Sequence, residues 1–191
     1  MESAISGILA VTNKRNVIHH NTPVDSTLEA FLYDELKDVY RSEIHMAGYV
    51  LPRMIRSAGS IAVREIFISQ FDIVQLHLEA VKSIFRMTGK QPEEKRPGEI
   101  EDIAVDLFRR IDADDNTNPS TRDTKLLIVA QKAQHCKISG YKKVVELASI
   151  LDLEEIESVA RDLLNEENDI RNSLIAANER EMGRLLYSKL S

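Results

Sequence analysis

The sequence predicts an all-α fold: four long helices packed as a bundle, with a long connection between the second and third that carries a short extra helix. Three observations predict it. Only seven Gly and five Pro punctuate 191 residues, and aromatics make up 5% with no Trp, a profile that suits long helices better than a turn-rich sheet. Apolar residues recur at spacings of three and four along four long stretches. A polar linker with two prolines, KQPEEKRPG at residues 90–98, separates the second stretch from the C-terminal half of the chain.

Residues 1–25 differ from the rest. SGILAV and NVIHH flank TNKR, a pattern for a small hairpin or a tail. The adjacent His19 and His20 read as solvated polar residues. Residues 26–178 form the bundle. The first helix opens on the capping box Ser26-Thr27-Leu28-Glu29 and runs to about Ala58. Its inner stripe includes Leu32, Leu36, Val39, Glu43, Ala47 and Met54, with Glu43 the one acid. Pro52 should kink it.

The second helix spans about Ser60–Thr88 and stops at Gly89. Gln70, Ile73 and His77 share one side of it. A short helix, about Glu99–Ile111, presents Ile103, Leu107, Phe108 and Ile111. DADDNTNPSTRD, residues 112–123, spaces its oxygen side chains like a calcium loop. Thr117 stands where the sharp turn needs Gly, and Asp123 where a bidentate Glu is usual, so the stretch reads as an acidic connection. The third helix covers about Arg122–Leu151. The fourth starts near Asp152 as its cap and reaches about Asn178, with Ile156, Leu163, Glu167, Ile170, Arg171 and Leu174 inward. Residues 179–191 continue this helix or form a tail.

Composition narrows function. A net charge of −6 argues against a nucleic-acid partner. No apolar run reaches the roughly 20 residues of a membrane span, and the N-terminal apolar patch lacks the basic start of a signal peptide. The single Cys136 excludes an internal disulfide and fits a reducing compartment. A cytoplasmic protein is expected.

Polar groups break into the bundle's apolar faces. Gln134 and Lys137 interrupt the inward face of the third helix, and such groups are costly there unless paired. A carboxylate-bridged di-metal centre in a bundle draws Glu-x-x-His from two of its helices. The residues three before the five histidines are Asn16, Val17, Ser42, Val74 and Lys132, so no such motif exists. Phosphate loops, nucleophile elbows, HExxH and Cys pairs are also missing. Cys136 and His135 are helix neighbours that point about 100° apart, so they are no nucleophile–base pair.

The residues do resemble a family. LEAFLYDELKDVYRSEIHMAGYVLPRMIRSA, with its E-L-x-D-x-Y-x-x-E run from Glu35 to Glu43 and Leu51-Pro52-Arg53-Met54 after it, resembles the first helix of the YciE/YciF group of bacterial ferritin-like proteins. AQKAQHCKISGY is similar to that group's A-Q-K-x-E-H-Y-E-I-x-x-Y, and LNEEN to its acidic fourth-helix motif. The resemblance spans about residues 27–178. It implies a ferritin-like four-helix bundle whose long crossover carries a short helix, a homodimer, a link to stress responses, and metal binding.

The departures bear on the metal. Glu43, His77 and Glu167 are the remnant ligand positions. Ile73 falls where the family commonly has Glu, Gln134 and Lys137 replace two Glu, and Arg171 replaces an acid. The expectation is an internal polar cluster of Glu43, Gln70, His77, Gln134, Lys137, Glu167 and Arg171, in which Lys137 and Arg171 neutralise Glu43 and Glu167. On that reading no cofactor binds, and the protein is a non-enzymatic structural or interaction homodimer with an unknown protein partner. The alternative is an iron or manganese oxidoreductase or iron handler using Glu43, His77 and Glu167, with Glu166 and Asp169 as further candidates. A small-molecule or lipid binder is a third class without a specific motif.

Overall fold

The computed structural model describes residues 23–92, 99–112 and 118–190. The tail or hairpin expected before the bundle lies almost wholly outside the described residues. Helix α1 spans Pro23–His45. It therefore starts before the expected cap, and Ser26 sits inside the helix; the fixed φ of Pro23 suits a first helical position. After α1 the chain widens into a π turn at Met46–Val50 and continues as α2, Leu51–Ser57. Leu51 N–H bonds to Met46 O, five residues back. The extra residue gives the ring of Pro52 room where a regular helix would press it on the carbonyl four residues earlier.

Helix α3, Ile61–Thr88, has the expected ends. The Ser60 hydroxyl accepts from Val63 N–H, and Gly89 closes the helix in the left-handed region at φ 67°. The crossover helix α4 is Glu99–Asp112, and it buries Ile100, Ala104, Phe108 and Ile111.

Helix α5, Pro119–Ile150, begins three residues ahead of expectation. Asn118 caps it by accepting from Ser120 N–H at 2.9 Å. The end of the acidic stretch is thus helix rather than connection, while residues 113–117 lie outside the described residues. Asp123 is wholly buried, and its two carboxylate oxygens accept from Gly59 N–H at 2.6 Å and Ser60 N–H at 2.9 Å. Gly59 is required at this corner, since a Cβ there would lie 2.8 Å from Pro119 Cβ.

Helix α6 runs unbroken from Glu154 to Leu190, so residues 179–190 prolong it. Asp152 does not cap α6. It adopts φ 53° and closes α5 instead: Asp152 N–H bonds to Ser149 O and Leu153 N–H to Ala148 O. That is the double C-terminal hydrogen bond of a Schellman turn, in which Asp tolerates the left-handed conformation.

The described residues form only helices. α1 packs on α3 and α5, α5 on α6, and α3 on α6, with α4 laid across α5. The core has two halves. Met46, Phe67, Val74, Ala130, Ala133 and Leu174 belong to one; Leu36, Val39, Val81, Val144, Ile156 and Leu163 belong to the other. Between them each long helix contributes polar residues to one layer. Among the described residues no helix is long and apolar enough to cross a membrane.

Candidate functional site

The polar layer arises from helix register. On α1 Glu43 lies between Val39 and Met46; on α6 Glu167 lies between Leu163 and Ile170. Each is at the three- and four-residue spacing that keeps a side chain on the buried seam. On α3 the seam carries Gln70 and His77, and on α5 Gln134, Lys137 and Tyr141. All seven are buried, with Glu43, Gln134 and Glu167 at 0% exposure.

Lys137 is the hub. Its Nζ lies 3.0 Å from Glu43 Oε2 and 2.6 Å from Glu167 Oε1. His77 is the second cation. Its Nε2 donates to Glu166 Oε2 at 2.8 Å, and its Nδ1 sits 2.8 Å from Glu167 Oε1 and 3.7 Å from Glu43 Oε1. Tyr141 Oη donates to Glu43 Oε1 at 2.8 Å. Gln70 donates to Gln134 Oε1 at 3.2 Å, and Gln134 donates to the Glu167 backbone carbonyl at 2.8 Å and to its carboxylate.

The charges reinforce one another. Burial alone would raise the Glu43 carboxyl, but the Lys137 ammonium and then His77 outweigh it and hold it at about 2. Burial favours a neutral His77 ring, yet its contacts with Glu166, Glu167 and Glu43 push it up to about 10. Burial likewise works against the Lys137 charge, and Glu167 and Glu43 more than restore it. Glu166, half-exposed at the rim, is held below the usual carboxylate range by His77. Burial followed by the Glu43 charge keeps the Tyr141 phenol protonated.

Six of the seven sequence-expected cluster residues meet in this layer. Arg171 does not. It is half-buried, and among the described residues no ion pair joins it to the cluster. The buried line of α6 runs Leu163, Glu167, Ile170, Leu174, Ala177, which places Arg171 one residue, about 100°, off the seam. His77 supplies the second positive charge in its place. Tyr141 was not among the expected cluster residues; its position four after Lys137 was the available signal.

Glu43, His77 and Glu167 each offer a ligand atom, and these three atoms lie within 4.8 Å of one another. A dinuclear carboxylate centre asks for about four carboxylates and Glu-x-x-His pairs. This layer has two fully buried carboxylates and a lysine ammonium in contact with both.

A cavity of about 410 Å³ opens between α1 and α5 and reaches the layer at Glu43, Lys137 and Tyr141. At its rim Lys143 Nζ pairs with Glu35 at 3.2 Å. Gly140 allows the two helices to close up, with a Cβ there only 3.0 Å from Val39 Cγ2.

The fold matches solved structures at low identity. The E. coli stress protein YciF superposes with a TM-score of 0.76 at 17% identity, covering 82% of this chain and 97% of that one. YcfI from Rhodopseudomonas palustris gives 0.72 at 21% identity over 85% and 97%. A structure titled as ferritin-like, diiron-carboxylate proteins from Bacillus anthracis gives 0.56 at 15% identity over 82% and 99%. No curated protein matches the sequence. The bundle is thus ferritin-like and of the YciF type, and with residues 27–186 matching its profile the chain belongs to the family described as a domain of unknown function, DUF892.

Proposed function

We propose that this protein is a ferritin-like bundle in which an ion-pair layer takes the place of a di-metal centre, and that it works as a structural or interaction protein. The observation that carries this reading is Lys137 Nζ, 3.0 Å and 2.6 Å from the two buried carboxylates where a shared metal would have to bind them. Charge supports it as well. Lys137 and His77 balance Glu43 and Glu167, whereas two divalent ions added to the same groups would leave a large uncompensated positive charge. Such a layer between two apolar halves suits a role in fixing helix register, because any slip strands buried charges. The YciF likeness supports a stress-related setting, and a cytoplasmic homodimer fits the same reading. Metal analysis of purified protein is the test. Roughly two equivalents of iron or manganese, lost in Glu43→Ala, would sink it. Light scattering tests the dimer.

One observation favours a second reading, a mononuclear iron or manganese site. The Glu43, His77 and Glu167 ligand atoms converge within 4.8 Å, and two carboxylates with one imidazole suit such ions. It requires His77 to lose its proton and Lys137 to withdraw. One equivalent of tightly held metal with ferroxidase or peroxidase activity would favour it over the first.

A further inference from the structure

We propose that an apolar strip at the N-terminal end of α1 is the docking site of the chain's own apolar run at residues 5–11, ISGILAV. Contacts across the α1–α5 seam place the strip. Glu43 meets Lys137, Val39 meets Gly140 and Glu35 meets Lys143. Each step of four back along α1 is a step of three forward along α5, so the two helices run antiparallel. Beyond the Glu35–Lys143 pair, α1 carries Phe31, Leu28 and Val24 on the same side, and α5 carries Leu147 and Ile150, all at helical spacings of three and four. Val24, Phe31 and Ile150 are 64%, 57% and 63% exposed, and Leu28 and Leu147 are half-buried between them. Isolated apolar side chains on a surface need no explanation, but five gathered along one seam point to a surface that is covered.

The position and size of the strip choose its occupant. The residues outside the described helices at 93–98 and 113–117 are polar, whereas residues 1–22 contain Ile5, Ile8, Leu9 and Val11. They also precede the family domain, which begins at residue 27. The chain enters the bundle at Pro23, next to Val24 in the strip itself. Residues 12–22 can span up to about 36 Å, while Val24 and Phe31 are separated by only about 10 Å along the helix, so the run at 5–11 has ample chain to fold back. Tethering at that distance gives an effective concentration of roughly millimolar, enough to favour a contact too small to hold a separate partner. A second copy is the poorer fit, because a stable dimer needs about 20–30 residues from each side and the strip supplies five. The proposal is independent of the metal-free reading, since no strip residue belongs to the polar layer.

The test uses the full chain with labelled methyl groups in NMR. In the parent, nuclear Overhauser effects should connect the Ile8 and Leu9 methyls to the Phe31 ring and to the Ile150 methyl. Leu9→Asp should remove them and raise the fluorescence of the apolar dye ANS by about twofold or more as the strip opens to water. The double variant Leu9→Asp, Phe31→Asp should lose most of that rise, which assigns the newly exposed surface to the strip. Leu9 precedes the bundle and Phe31 is exposed on it, so both variants should fold, and unchanged far-UV circular dichroism checks that they do. Absence of the Overhauser effects in the parent, or dye binding indifferent to Leu9→Asp, would overturn the proposal. So would effects seen only between labelled and unlabelled chains in a mixed sample, which would make the occupant a second copy.

Discussion

Replacing Lys137 by methionine keeps an unbranched side chain one atom shorter and removes its charge. Glu43 and Glu167, both at 0% exposure, would then share the single cation His77, whose Nδ1 is 2.8 Å from Glu167 but 3.7 Å from Glu43. Glu43 is the less well compensated and should take up a proton. At pH 7 that means protonating a carboxyl about 2.5 units above its ordinary value of 4.5, a cost of about 3 kcal/mol. The figure agrees with the roughly 3–5 kcal/mol expected on breaking a buried ion pair. For a domain of this size it lowers Tm by roughly 6–12 °C. The pH dependence is the sharper signature. In the variant the folded-state Glu43 value lies above the unfolded one, so the deficit shrinks as pH falls from 7 toward 4.5. Urea unfolding of parent and variant at pH 5 and pH 7 reads both quantities. A variant within about 0.5 kcal/mol of the parent at pH 7, or a deficit equal at the two pH values, would refute the claim that Lys137 neutralises the layer.

The same geometry yields other expectations. In the parent, Glu43 held at about 2 contributes stability that is present above 4.5 and lost as pH falls toward 2; His77 pushed up to about 10 contributes stability that is full below 6.5 and lost as pH rises toward 10. Denaturant midpoints should therefore peak between about pH 4.5 and 6.5, and a maximum at pH 9 would contradict the ion-pair assignment. The double variant Gln134→Glu, Lys137→Glu returns carboxylates to the layer and should bind iron or manganese with a metal-dependent rise in Tm; no rise at saturating metal counts against the idea that these two positions exclude it. Tyr141→Phe removes the donor to Glu43 Oε1 and should cost about 1–3 kcal/mol by urea unfolding. Asp123→Ala leaves Gly59 and Ser60 N–H without their acceptor in a buried corner and should destabilise by about 1–3 kcal/mol by urea unfolding.

The amino-acid sequence by itself determined the four long helices, the crossover, and which seam positions are polar, because helical periodicity is a local property. It placed Glu43, Gln70, His77, Gln134, Lys137 and Glu167 inward one helix at a time. Tertiary structure decided which of them meet. Arg171 looked like a partner for Glu167 at a spacing of four, but the buried line of α6 turns toward Ile170, and the charge falls to His77 across the bundle. The Tyr141 hydroxyl and the rim carboxylate Glu166 gain their roles only from facing helices. The π turn before Pro52 and the left-handed Asp152 were not read from the sequence either: the proline pattern predicts a kink without its form, and an Asp between two helices can cap the second or, as here, close the first. The middle of α5 shows the division most clearly: its spacing announced an inward lysine, and only the surrounding helices supply the two carboxylates that give it a charge to balance.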